Sequence, residues 1–224
     1  MIYVYFKAPF GAFKPFQSVE MLATAEFLTP SAAYGLLLGL AGVDRIHKGR
    51  FAGARIALGL KQLPRRGRLY QQLHVIPQSK PQKEGESERR RELAKGRKLS
   101  IRTFWKEILY DLEGYIGLDH PELEALVDQG INRPSTVSYW GLPFMGDNNF
   151  FVERFEVERK PSPCRWLRPL RENESPQGER LFYLSIWTDY ENNSGSNSQL
   201  FCLTAVRDDP LDAWVSIKER EENL

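Results

Sequence analysis

Three features of this 224-residue chain predict an α+β fold of the ferredoxin-like (RRM-like) type. Residues 2–7 carry apolar or aromatic side chains at both alternating sets of positions (Ile2, Val4, Phe6 and Tyr3, Tyr5), as a central strand covered on both faces requires. Residues 29–42 read as a helix. Two alternating segments follow at 54–61 and 69–76, each with one apolar face. Strand, helix, strand, strand, helix, strand is the order that remains once the rest of the chain is read, with further hairpins towards the C-terminus.

Each element has a local reason. Thr29 offers a hydroxyl to cap a helix start, and Pro30 is tolerated in a first turn, where its missing N–H has no partner to lose. Gly35, Gly39 and Gly42 fall on one stripe of that helix, which predicts the close approach of a sheet or a ligand backbone. In the strand at 54–61, Ile56, Leu58 and Leu60 alternate with Arg55, Ala57, Gly59 and Lys61. Pro64-Arg65-Arg66-Gly67-Arg68 reads as a turn into the next strand. Residues 80–98 hold 8 Lys+Arg, 4 Glu and almost nothing apolar, the composition of a mobile loop. A strand from Arg102 is expected to turn near Asp111–Gly114 and return through Tyr115 and Ile116. A short helix spans 120–128 and ends near Gly130; strands follow at 150–158, 181–188 and 200–206, the last two as a hairpin.

Composition narrows the function. The longest apolar run, Ala32 to Val43, has 12 residues, short of the ~20 that a membrane span needs, and no leader precedes the first strand. Two cysteines, Cys164 and Cys202, make neither a disulfide framework nor a ligand cluster, so a reduced cytoplasmic location, no membrane and no metal or other cofactor are expected. The formal net charge of +2 hides a strong asymmetry. Residues 45–110 carry 18 Lys+Arg against 5 Asp+Glu, and the remainder carries 13 against 24. A basic block more than sixty residues long attracts polyanions, with nucleic acid the first partner to consider; a merely solvated surface is the plainer alternative.

No nucleotide-binding loop, zinc-binding pair or hydrolase elbow is present. Tyr34, His47 and Lys48 form a set able in principle to cleave RNA without metal, with His or Lys moving protons. The alternative is that His47 and Lys48 hold a phosphate and Tyr34 belongs to the core. Binding groups are more numerous. Arg45, His47, Lys48 and Arg50 follow the first helix; Arg65, Arg66 and Arg68 fill the expected turn; Arg97 and Arg102 precede a strand. The arginine fork suits phosphate, and cations spaced turn by turn line a path. Lys7 extends the set from the first strand. Phe10, Phe13 and Phe16 around Lys14 either stack on unpaired bases or plug the core. The helix start beside Ser31 is a ready seat for a phosphate.

The run Ala8-Pro9-Phe10-Gly11-Ala12-Phe13 followed by Phe27-Leu28-Thr29-Pro30-Ser31-Ala32-Ala33-Tyr34-Gly35, continuing to Gly42, resembles the start of CRISPR-associated RAMP proteins. It is most similar to the type I subunit that holds the 5′ handle of the crRNA in Cascade-type complexes, in the myxobacterial-type, I-B-like branch. The resemblance is specific over residues 1–45 and architectural beyond. It implies a RAMP core formed by residues 1–63 and 111–224, with a basic β-hairpin "thumb" at 64–110 and extra C-terminal strands. It further implies a non-catalytic, crRNA-binding subunit. Its partners would be the crRNA 5′ handle, the large PAM-recognising subunit, the backbone RAMP subunits and, through the complex, target DNA. Such complexes serve antiviral defence or RNA-guided transposition. In one subtype the homologue processes the repeat RNA itself, so a metal-independent endoribonuclease is the alternative; an accessory protein that binds protein alone is a third.

Overall fold

The computed structural model describes residues 1–14, 22–74, 101–137, 142–171, 174, 180–188 and 197–218. The expected loop at 80–98 lies outside them. The described strands are β1 (Ile2–Gly11), β2 (Arg55–Leu60), β3 (Arg65–His74), β4 (Ile101–Asp119), β5 (Arg154–Glu158), β6 (Cys164–Pro169), β7 (Phe182–Trp187), β8 (Asn197–Arg207) and β9 (Val215–Ser216). Among the described residues two α-helices, α1 (Pro30–Leu40) and α2 (Pro121–Asn132), join them, with a 3-10 turn at Arg45–Phe51.

The strands form one antiparallel sheet in the order β5-β1-β4-β2-β6-β8-β7, with β3 on β4 and β9 on β2. In β1-α1-β2-β4-α2-β5, the last strand lies beside the first and the third between the first and second, which is the split βαβ arrangement of a ferredoxin-like core. Strands β6, β8 and β7 extend that sheet beyond β2, the last two as the expected hairpin.

The two-residue period of β1 decides the layers. Ile2, Val4, Phe6 and Ala8 join Leu37, Ile116, Leu118, Leu123 and Val127 in the main core under the helices. Tyr3 and Tyr5 point to the opposite face, where Tyr115, Trp166, Cys164 and Ala213 form a second, smaller cluster. Helix α1 is stopped at both ends by its own sequence. The Thr29 hydroxyl accepts the Ala32 N–H at 3.2 Å. At the far end Gly42 takes φ +67, and the Gly42 and Val43 N–H groups return to the Gly39 and Leu38 carbonyls, closing a Schellman motif.

Several expectations are corrected. Residues 65–68 are no turn: they begin β3, because Arg65–His74 pair residue for residue with Tyr110–Ile101. Nor does the chain turn at Asp111–Gly114. Strand β4 runs 19 residues, with Asp111 alone in a left-handed conformation at φ +57. Gly114 is there for proximity, since a methyl group would overlap the Gly59 carbonyl of β2. Helix α2 continues past Gly130 to Asn132, and Gly130 is the point where it packs against the end of α1. Among the described residues no sheet and no backbone approaches Gly35 or Gly39 of the α1 stripe, where a Cβ would meet nothing within 4 Å. Strand β5 begins at Arg154 rather than at Phe150, and β6 and β9 are strands beyond those expected.

Candidate nucleic-acid interface

Beyond its pairing with β1, which ends at Leu109, strand β4 continues with β3 as a two-stranded ribbon. Alternation sorts its side chains onto two faces. One face carries Arg66 opposite Leu109, Arg68 opposite Glu107, Tyr70 opposite Trp105 and Gln72 opposite Thr103. Arg66 donates to the Thr24 carbonyl at 3.3 Å. Arg68 is exposed and forms no ion pair with any described residue. Its cross-strand neighbour Glu107 is turned inward, only 8% exposed, with its carboxylate accepting the Thr24 N–H at 3.4 Å. Tyr70 and Trp105 stand half exposed, their ring centroids 5.0 Å apart and planes tilted by 55°. On the other face Arg65 reaches Asp111 through its Nε at 2.9 Å, and the buried Lys106 ammonium pairs with Asp147. Burial alone would push the Asp147 carboxyl up; the Lys106 hydrogen bond and the Asn149 amide outweigh it and hold the carboxyl below its ordinary range.

A second grouping forms at the start of α1. The Ser31 hydroxyl lies 3.2 Å from the Thr188 hydroxyl, and Lys48 donates to the Thr188 carbonyl at 2.7 Å while its ammonium sits 4.3 Å from the centre of the Trp187 ring. Tyr34, 3% exposed, donates its hydroxyl to the Lys48 carbonyl, and burial pushes its ionisation well above the ordinary range. His47 is exposed beside them. These residues come from segments more than a hundred positions apart, joined because β7 lies against α1.

The basic block is trimmed by this geometry. Arg50 pairs with Glu122, Arg55 with Asp119, Lys61 with Glu113, Arg65 with Asp111 and Lys106 with Asp147. Each carboxylate belongs to the acidic remainder of the chain, which thus engages these five described cations of the block, whereas Arg66 and Arg68 on the ribbon form no ion pair with any described residue. Lys7 faces Glu153 at 3.4 Å. Phe13 is 2% exposed and belongs to the core, leaving no ring face for a base; Lys14 is exposed. The backbones of Arg45 and Arg102 lie in the 3-10 turn and in β4, while Arg97 lies outside the described residues. Sequence reasoning missed Trp105 and the pairing that sets it against Tyr70. The signal was an aromatic in each of two adjacent strands, unreadable until β3 is registered on β4.

The helix-free face of the sheet is closed. RRM domains stack bases on aromatics of this face. Here Tyr3 and Tyr5 are 7% and 8% exposed. Lys61 and Arg154 lie 5.5 and 5.8 Å from the centre of the Tyr5 ring, whose hydroxyl donates to Glu113 at 3.0 Å. Burial, then Glu113, pushes the Tyr5 phenol up to about 12. Tyr115 contacts Ser162 at 2.9 Å and Glu158 at 3.2 Å. Glu113, Glu153 and Glu156 hold the cations of this surface, Lys61, Lys7 and Arg154, in ion pairs, so those cations are already engaged.

No family model matches the chain, and no curated protein matches it. Among solved structures, a chain described as "CRISPR RNA-guided surveillance complex" is similar over 92% of this chain and 90% of that one, with a TM-score of 0.57 and 11% sequence identity. A chain described as "Crystal structure of Cas protein" is 13% identical over 92% of this chain and 94% of that one, with a TM-score of 0.48. No helix among the described residues is long and apolar enough to cross a membrane. The mixed α+β architecture, with its large antiparallel sheet and few helices among the described residues, thus matches the fold of the chain described as "CRISPR RNA-guided surveillance complex" across nearly its whole length.

Proposed function

We propose that the chain is a non-catalytic RNA-binding subunit of a type I CRISPR surveillance complex, of the I-B-like branch, which seats the 5′ handle of the crRNA. It would cap one end of the backbone subunits and adjoin the large PAM-recognising subunit, meeting target DNA through the complex. The observation that carries the reading is the ribbon of β3 and β4, which presents Arg66 and Arg68 on one face without carboxylate partners among the described residues. Full-length likeness to a chain of an RNA-guided complex supplies the architectural support. The closed opposite face of the sheet supports the ribbon as the gripping element over an RRM-type platform. The non-catalytic reading is supported by the Tyr34–His47–Lys48 set, in which the Tyr34 hydroxyl is buried against a carbonyl and the Lys48 ammonium is held by Thr188 and Trp187.

Sequencing of the RNA that co-purifies with the chain and its neighbouring subunits tests the assignment: guide RNA with its 5′ handle protected is expected. The exchange of Arg66 and Arg68 for alanine together should flatten the log–log salt dependence of binding by about 1.4, at ~0.7 per phosphate contact on single strands. Arg65→Ala should leave the slope nearly unchanged, since Asp111 already occupies that guanidinium. An unaltered slope in the double variant would refute the grip. Cleavage of repeat RNA in chelator, lost on His47→Ala, would establish the endoribonuclease instead.

A further inference from the structure

We infer that the Tyr70–Trp105 ring pair is a stacking platform for an unpaired base of the bound strand, one step along the ribbon from the arginines that hold its phosphates. The inference rests on the function proposed above and adds the group that is recognised there. Tyr70 and Trp105 are directly opposite each other in the register, 53% and 52% exposed, and touch at a centroid distance of 5.0 Å. Each ring therefore keeps about half of its surface open to solvent.

The neighbours on that face define what covers it. Arg66, Arg68, Tyr70 and Gln72 project to the same side of β3 at successive steps of about 6.8 Å. Two cations, an aromatic pair and an amide thus lie along one line. Glu107, the one acid on the same rows, is buried with its carboxylate directed to the Thr24 amide, so the solvent side of these rows carries the arginines and the rings rather than a carboxylate. Opposite the pair's own row, Lys106 and Asp147 neutralise each other on the far face. A cationic run leading to exposed rings fits a polyanion whose repeating units end in flat π-faces. Every base has such a face, so the platform tolerates sequence; the arginines fix the backbone and the rings hold the base. A protein partner would instead be expected to place apolar side chains here, and the row of arginines leading in gives it no complement.

The test compares single-stranded oligoadenylate with an abasic strand of equal length, titrated against the full chain at one salt concentration. Trp105→Ala should weaken oligoadenylate binding about five- to 150-fold, the span of base–aromatic stacking, and leave the abasic strand unchanged. Tyr70→Ala should act in the same sense, Trp105→Phe should retain most of the affinity, and Arg68→Ala should weaken both strands alike. Both rings are half exposed, so thermal unfolding serves as the control that the variants fold, with Trp105→Phe and Tyr70→Ser as milder replacements. Equal losses on both strands, or none on oligoadenylate, overturn the inference. So does loss of co-assembly with neighbouring subunits at unchanged RNA affinity, which would make the rings a protein contact. If the arginine variants act and Trp105→Ala does not, stacking alone fails; if the unaltered chain binds neither strand, the proposed function fails with it.

Discussion

Alanine at position 130 sets helix propensity against packing. Within a helix, Gly→Ala ordinarily gains about 0.8–1 kcal/mol, because alanine has less backbone freedom to lose. Gly130 lies inside α2, two residues before its end, and propensity alone predicts a stabilised protein. The tertiary structure predicts the reverse. A methyl group there would stand 2.8 Å from the carbonyl carbon of Leu40 and overlap its oxygen. Ordinary contact needs about 3.5–4.0 Å between carbons and little less to an oxygen, so the overlapped oxygen sets the displacement at more than ~1 Å, and the obstacle is backbone that no rotamer change can clear. Overpacking costs about 1–3 kcal/mol, and a clash with fixed backbone lies at the upper end, which leaves a net loss of roughly 2 kcal/mol once the propensity gain is subtracted. Gly35→Ala is the matched control: it lies in α1 with nothing within 4 Å of its would-be Cβ, so it should gain about 0.5–1 kcal/mol. Chemical denaturation of the two variants beside the parent reads both effects, and in a chain of this size 2 kcal/mol corresponds to a shift of about 4–8 °C in Tm. A neutral or stabilised Gly130→Ala protein would refute the close packing of α1 on α2. A destabilised Gly35→Ala protein would show that the glycine stripe is covered after all.

Other consequences are as direct. Asp147→Asn leaves the Lys106 ammonium buried without its counter-ion and should cost about 3 kcal/mol by urea denaturation. Because the Asp147 carboxyl is held below its ordinary range in the folded chain, the unfolded chain binds the proton first. The stability it contributes is therefore present above about pH 4 and lost as pH falls through the folded value; Asp147→Asn should lose stability less steeply than the parent in that acidic window. Thr29→Ala removes the α1 cap and should cost about 1 kcal/mol, restored by Thr29→Ser. Burial pushes the Cys164 thiol up to about 12, so alkylation at pH 8 should be detectable only at the rate of unfolding; rapid modification of the native chain would contradict its packing under β2.

The alternating pattern of Ile2 to Phe6, the Thr29-Pro30 start and the Gly42 stop of α1 are local signals, and they were legible because strand period and helix caps act within a few residues. From them the order of elements, and hence the ferredoxin-like core, followed. The asymmetry of charge was legible for the same reason: it is a property of composition. What it does in space was not. Arg50, Arg55 and Arg65 look like free cations until the fold sets Glu122, Asp119 and Asp111 against them, partners 46 to 72 residues away. The glycines show the same division. Gly35 and Gly130 are equivalent as letters, yet one faces open space and the other the backbone of another helix, since close approach is a property of two segments together. Trp105 likewise gained meaning only when β3 fell into register on β4 and placed Tyr70 beside it. Local conformation and overall charge are determined residue by residue along the chain. Which charges remain unpaired, and which rings meet, depends on long-range register, which only the tertiary structure decides.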